Sequence, residues 1–247
     1  GWGGVGGGET AIEESEDFKK ALEHIELVQK LSKDENLSLT DEDLVVVRCG
    51  IEASCSVSMG VVGFVGGRIT DGSFYQPGGG HERFAGSFVR LLEHCALTHA
   101  PQRQPILALM HKVWEVSVKL GAEDPQEKDL AGELALGVTL LLFEIGNTVI
   151  AVLRQLQRWA STMTGNQPIV AVIGVLSTSA PPYSSKFVRG ILAVLGALPS
   201  LEVLQLQTDC KHLIAAFLQH VQGKEAQLNL LPEHEKSLGD LRLLSWT

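Results

Sequence analysis

The chain has 247 residues, of which 45% are hydrophobic and 20% are charged, and its formal net charge is −9 with neutral histidines. This length predicts one large domain or two small ones. The composition excludes a disordered chain, because enough apolar surface is available to offset the entropy lost on ordering. The lack of excess positive charge argues against a nucleic-acid-binding module, which needs cations to neutralise phosphates.

The negative charge is concentrated near the start of the chain. Residues 1–50 contain 12 acidic and 5 basic residues. Such a segment is either an ordinary solvated face or an electrostatic docking surface for a basic partner, which would speed encounter more than it would deepen affinity.

The cysteines are scattered and form no CxxC motif. A chain of this length needs no disulfides to hold its core, so we expect free thiols in a reducing compartment, cytoplasmic or nuclear. The longest apolar runs fall short of the ~18 residues that a membrane span requires, so we expect no transmembrane segment.

The first elements in chain order are a glycine-rich tail and two helices. Residues 1–9 contain GWGGVGGG and predict a flexible tail. Apolar residues at three- and four-residue spacing predict an amphipathic helix over 16–33. Thr40 followed by Asp43 resembles a capping box and predicts the next helix start. Residues 47–59 also alternate as a strand would, but the cap and the length favour helix.

The middle of the chain predicts a long loop followed by two helices. Residues 66–81 are rich in turn-forming residues and predict the loop. A helix is expected over 82–97, and Pro105 is suited to the first turn of the helix after it. Gly121 should end that helix, and Asp124, followed by a proline, should cap the next one.

The remaining segments also predict helices. The apolar stretch over 130–160 has room for two helices, divided at Gly146. The run IVAVIGVLSTSA fits either a helix or a strand, while Ser185 can cap a further helix and 208–222 forms another. With one short helix at the end, the sequence predicts an all-α fold of eight to ten helices. We expect a helical domain over 10–222 and a C-terminal helix or tail over 223–247.

Several apolar helices carry a glycine between a large apolar residue and a valine. The pattern occurs at Gly60, Gly137 and Gly174, at separations near one or two periods of a helix pair. Segments such as LAGELALGVTLLL and IEASCSVSMGVVGF, with prolines near helix starts, resemble the HEAT and armadillo class of α-helical repeats over residues 40–222. The resemblance implies stacked helical hairpins with one elongated core and no shared active site.

The sequence contains no motif for catalysis or for a cofactor. The N-terminal glycines lack the lysine of a phosphate-binding loop and follow no strand. The tightest group of potential metal ligands is His94, Cys95 and His99, but the two histidines are five residues apart and lie on different helical faces. No nucleophile elbow occurs. We therefore expect no cofactor, no metal and no enzymatic activity.

Aromatic and basic side chains are the better candidates for a functional surface, because tryptophan, tyrosine and arginine are enriched at binding hot spots. These residues are Phe74, Tyr75, Arg154, Arg158 and Trp159. Alternatively, Trp159 packs in the core and the arginines are ordinary helix surface. We expect a scaffold for protein–protein interactions, a fragment or subunit of a larger assembly that binds protein partners and no nucleic acid directly.

Two other functions fit the sequence. One is a helical enzyme or small-ligand-binding domain, which would need a pocket with convergent polar groups such as His94, His99 and Glu115. The other is a membrane-peripheral protein that docks an apolar helix such as 134–143.

Overall fold

The structure, a computed structural model, describes residues 40–121, 124–146 and 148–244, together with Glu23 and Glu26, both in helical conformation. The predicted tail over 1–9 and most of the helix predicted over 16–33 lie outside the described residues. The acidic N-terminal segment, proposed as a docking surface, therefore remains a prediction.

Eleven α-helices and no strand are present in the described ranges, which confirms the all-α prediction. Their bounds are α1 (Asp41–Ala53), α2 (Cys55–Ile69), α3 (His81–Thr98), α4 (Arg103–Leu120), α5 (Pro125–Glu144), α6 (Val149–Ala160), α7 (Gln167–Ser177), α8 (Ser185–Gly196), α9 (Thr208–Val221), α10 (Glu225–Leu228) and α11 (Pro232–Leu243).

The count exceeds the predicted eight to ten because the chain breaks at an unexpected position, Ser54, and because the short helix α10 was not predicted. Ser54 adopts an extended backbone between α1 and α2, and its hydroxyl accepts a hydrogen bond from the Ser56 amide. Ser54 therefore ends one helix and caps the next. At the start of α1, Thr40 and Asp43 form the predicted capping box, and the strand alternative for 47–59 is wrong.

The predicted loop over 66–81 is shorter than expected. Helix α2 continues to Ile69, and Gly72–Tyr75 forms a 3-10 turn. The Tyr75 hydroxyl donates to the Ile69 carbonyl oxygen at 2.8 Å, which fastens this turn to the end of α2. A side chain at Gly79 would collide with the Ser73 carbonyl oxygen, so only glycine fits there.

The predicted starts and ends of the following helices are confirmed, except that the cap of α8 differs by one residue. The Asp124 carboxylate accepts hydrogen bonds from the amides of Gln126 and Glu127 at the start of α5. Gly146, at φ 85°, divides α5 from α6. The run after Pro168 is helical, and the cap of α8 is Ser184, one residue before the predicted Ser185.

The helices stack through one continuous apolar core. Helix α5 packs against α3, α4 and α7, and α7 packs against α9; α8 lies between α6 and α11. The apolar stretch 134–143 is buried in this core except for the exposed Gly137 and the half-buried Leu140 and Leu141, so its large side chains pack within the protein. Among the described helices, none is both long enough and apolar enough to cross a membrane.

Candidate functional site

The three aromatic residues predicted to bind a partner are buried. Trp159 is 1% exposed, and Phe74 and Tyr75 are each 2% exposed. The Trp159 ring stacks on Trp114 with centroids 4.6 Å apart, and its indole N–H donates to His111 Nδ1 at 3.2 Å. The alternative that Trp159 packs in the core is therefore confirmed, and Phe74 and Tyr75 are likewise buried rather than exposed on a surface.

The two arginines predicted alongside them are exposed on α6. Val152, Leu156 and Trp159 bury the opposite face of the same helix. Since Arg154 and Arg158 are four residues apart, they lie on one side of α6 and point away from the core.

A groove with a volume of about 570 Å³ lies beside Arg154. Helices α6 and α8 and the segment around Leu231 form its walls. We call it the basic groove and define it by its lining residues: Ile150, Leu153, Arg154, Gln157, Lys186, Arg189, Gly190, Ala193, Asn229, Leu231 and His234.

A glycine positions the two helices that flank the basic groove. A Cβ at Gly190 of α8 would lie 2.6 Å from Leu153 Cδ1 and 3.2 Å from Leu153 Cβ on α6. The absence of a side chain at this position therefore allows α6 and α8 to approach closely. Arg154 is thereby held across the groove from the basic side chains of α8.

Three cations and no carboxylate line the basic groove: Arg154 from α6, and Lys186 and Arg189 from α8. Arg189 Nη1 donates to the carbonyl oxygens of Leu228 and Asn229, each at 3.4 Å. These bonds hold the guanidinium at the turn before α11 and leave other N–H groups free to donate.

The groove cations have no counter-ion within the described part of the chain. The ion pairs found there are His94 with Glu52, His111 with Glu115, and Arg242 with Glu225. The sequence explains why these cations lack counter-ions. Residues 145–201, which form α6 to α8, contain four cations and no Asp or Glu. This acid-free segment is the signal in the sequence that locates the groove, and our sequence reasoning missed it.

His234 contributes a further polar group. It is 7% exposed, and its Nδ1 accepts a hydrogen bond from the Leu231 amide at 3.2 Å. The neutral ring therefore carries its proton on Nε2, which has no protein partner among the described residues and is available as a donor.

A second groove, of about 470 Å³, adjoins the basic groove across Arg154. Arg158 and Lys112 line it, together with His111 and Glu115. The positive surface thus continues along α6 from one groove into the next.

Of the three residues considered for an enzymatic pocket, the two histidines both contact α1, whereas Glu115 pairs with a residue of its own helix, α4. His94 Nε2 lies 3.1 Å from Glu52 Oε1, and His99 Nε2 lies 2.7 Å from the Ile51 carbonyl oxygen. Glu115 instead faces His111 on α4. No group of three or more potential metal ligands occurs in the described ranges.

The buried thiols are poor nucleophiles. Burial raises the pKa of the Cys95 thiol to about 11, and it also raises the pKa of the Cys210 thiol to about 11. Cys49 and Cys55 are exposed. All four described cysteines are free, as predicted.

A family model described as TH1 protein matches residues 8–226 of the chain. Neither curated proteins nor solved structures give a significant match.

Proposed function

The chain belongs to the TH1 protein family, and within that family we propose that it is a protein–protein interaction scaffold, a subunit or fragment of a larger assembly. One observation carries the proposal: a stack of helices presents an open groove lined by cations that have no counter-ion in the described chain. A partner that supplies the missing negative charge would be guided to this surface and oriented on it.

We extend the proposal to the architecture and place the chain in the HEAT and armadillo class of helical repeats. Alternate helices contact one another along the chain, as α3 does α5, α5 does α7 and α7 does α9, and this pattern supports the class. Proteins of this architecture present extended surfaces to partners while the fold stays fixed. We also propose an intracellular location, which is consistent with four free thiols.

Charge reversal on the groove surface tests the scaffold function. The groove variant combines Arg154→Glu with Lys186→Glu, both at exposed positions. The control variant combines Lys119→Glu with Lys224→Glu, which changes the net charge equally at exposed positions outside the groove. Each protein is used to capture partners from an extract of its source organism, at low and raised salt.

We expect one stoichiometric protein partner to be retained by the wild type and the control and lost by the groove variant. Raised salt should weaken the interaction, because exposed charges are screened within about 10 Å at 0.1 M ionic strength. Equal retention by the groove variant, or no stoichiometric partner for the folded wild type, would refute the proposal.

A further inference from the structure

We propose that the basic groove binds an acidic, aliphatic segment of a partner protein, in which Asp or Glu side chains are interspersed with Leu, Ile or Val. This inference rests on the proposed scaffold function and identifies the chemistry of the partner. The groove combines three features that such a segment satisfies together: cations, an apolar strip, and free hydrogen-bonding groups.

The cations select carboxylates. Arg154 and Lys186 are exposed and reach the groove from opposite walls, while Arg189 is oriented by two long hydrogen bonds from its Nη1 to backbone carbonyl oxygens. A guanidinium binds a carboxylate through two parallel N–H bonds, and fixing it beforehand reduces the entropy lost on binding. No carboxylate of the groove competes for these donors.

The apolar strip selects aliphatic side chains. The half-buried Ile150 lines the groove on the α6 side beside Leu153, which is only 2% exposed, and Leu231 lines it on the other with 50% of its surface exposed. A purely ionic ligand such as phosphate would leave this surface in water. An aliphatic side chain placed between the cations would cover it and gain the free energy of apolar burial.

The groove also offers groups that can bond to a peptide backbone. The side-chain amides of Gln157 and Asn229 are exposed and have no hydrogen-bond partner among the described residues. Gln157 also lines a smaller groove of about 280 Å³ between α8 and α11, whose lining includes Glu233 and Asp240, and Arg154 lines the groove on the other side. This continuous path is suited to an extended segment rather than a compact ligand. The acidic residues of the segment therefore fit the Arg154 side, and its neutral residues fit the Gln157 side.

The same surface is poorly suited to a nucleic acid. No Phe, Tyr or Trp is among the residues that line the basic groove, so it offers no aromatic ring on which a base could stack. The net charge of −9 repels a polyanion at longer range. A short acidic segment can pair with the groove cations and is repelled less by the net charge, because it carries fewer negative charges than a phosphate backbone.

Selection from a displayed library of random 12-residue peptides tests this inference on the full chain. The baits are the wild type, the groove variant R154E/K186E and the control K119E/K224E, each checked for folding by circular dichroism. We expect the wild type and the control to enrich peptides that contain both acidic and aliphatic residues. A synthetic peptide from that set should bind the groove variant about tenfold more weakly or worse.

A third variant separates the apolar strip from the charges. Leu231→Ser places a favourable cap residue at the start of α11 and removes the exposed aliphatic group. We expect it to reduce the enrichment of aliphatic residues while acidic residues stay enriched. The same peptide with each aliphatic residue replaced by Ser should bind the wild type more weakly.

The outcomes distinguish the two proposals. If enrichment depends on Arg154 and Lys186 but the peptides are neutral, basic or free of aliphatic residues, the acidic-segment inference is wrong and the scaffold function stands. The inference is also wrong if a single-stranded dT12 oligonucleotide binds the groove as tightly as the selected peptide. If no selected peptide depends on the groove, the acidic-segment inference is wrong, and the partner capture with the same variants decides the scaffold function separately.

Discussion

Two glycines that look alike in the sequence are predicted to respond differently to substitution by alanine. Gly137 in α5 and Gly174 in α7 each follow a large apolar residue and precede a valine. A Cβ at Gly137 would have no neighbour within 4 Å. A Cβ at Gly174 would lie 2.6 Å and 2.9 Å from the Cδ atoms of Leu140, and 3.2 Å from its Cγ.

Two opposing effects set the change in the free energy of unfolding that each substitution causes. Alanine in a helix interior is more favourable than glycine by about 1 kcal/mol. At Gly137 this gain is unopposed, so Gly137→Ala should stabilise the protein by about 1 kcal/mol. At Gly174 the new methyl group overpacks the contact between α7 and α5, which typically costs about 1–3 kcal/mol. Rotation of the Leu140 methyl groups alone cannot relieve this contact, because its Cγ is also too close.

Gly174→Ala is therefore expected to be neutral or to destabilise by up to about 2 kcal/mol, so the two variants should differ by about 1–3 kcal/mol. For a chain of this size each kcal/mol corresponds to about 2–4 °C in Tm. Thermal and urea unfolding, followed by circular dichroism, measure the difference.

Leu140→Ala provides the control, because it removes the atoms that Gly174→Ala would meet. In that background Gly174→Ala should regain the stabilisation expected from helix propensity alone. If Gly174→Ala in the wild-type background stabilises the protein as much as Gly137→Ala does, the close approach of α7 to α5 is not as described.

The remaining predictions concern the thiols and the response to pH. A water-soluble thiol reagent at pH 8 should modify two cysteines quickly in the native protein, Cys49 and Cys55, and the other two only after unfolding; fast labelling of four would contradict the burial of Cys95 and Cys210. Burial lowers the pKa of His81, so the unfolded state binds the proton more readily. Stability should therefore fall as the pH drops below about 6.5. His81→Gln should reduce this loss in unfolding midpoints, whereas His212→Gln at an exposed position should not.

The helix boundaries that the sequence predicted best depend on local chemistry. Thr40 with Asp43, Asp124 before a proline, and Gly146 each act through hydrogen bonds or backbone angles within a few residues. Such signals are visible without knowledge of the fold. The break at Ser54 was missed because the apolar helical pattern continues across it, which conceals a change of direction.

The exposure of side chains was harder to predict. Phe74 and Tyr75 lie in a turn-rich segment, where exposure is the usual expectation. The Tyr75 hydroxyl instead bonds to the end of α2, and the Phe74 ring stacks on Phe88 of α3 with centroids 5.9 Å apart. The Tyr75 bond is local, but the Phe74–Phe88 contact depends on how the turn packs against α3, which only the tertiary fold decides.

The sequence by itself therefore determined the all-α class, most helix starts and ends, and the exposure of Arg154 and Arg158, because each follows from periodicity or from chemistry within one or two turns. The tertiary structure alone decided which aromatic rings are buried, and it placed Arg154 opposite Lys186 and Arg189 across a shared groove. That arrangement depends on the packing of α6 against α8, which a glycine permits and no local pattern encodes.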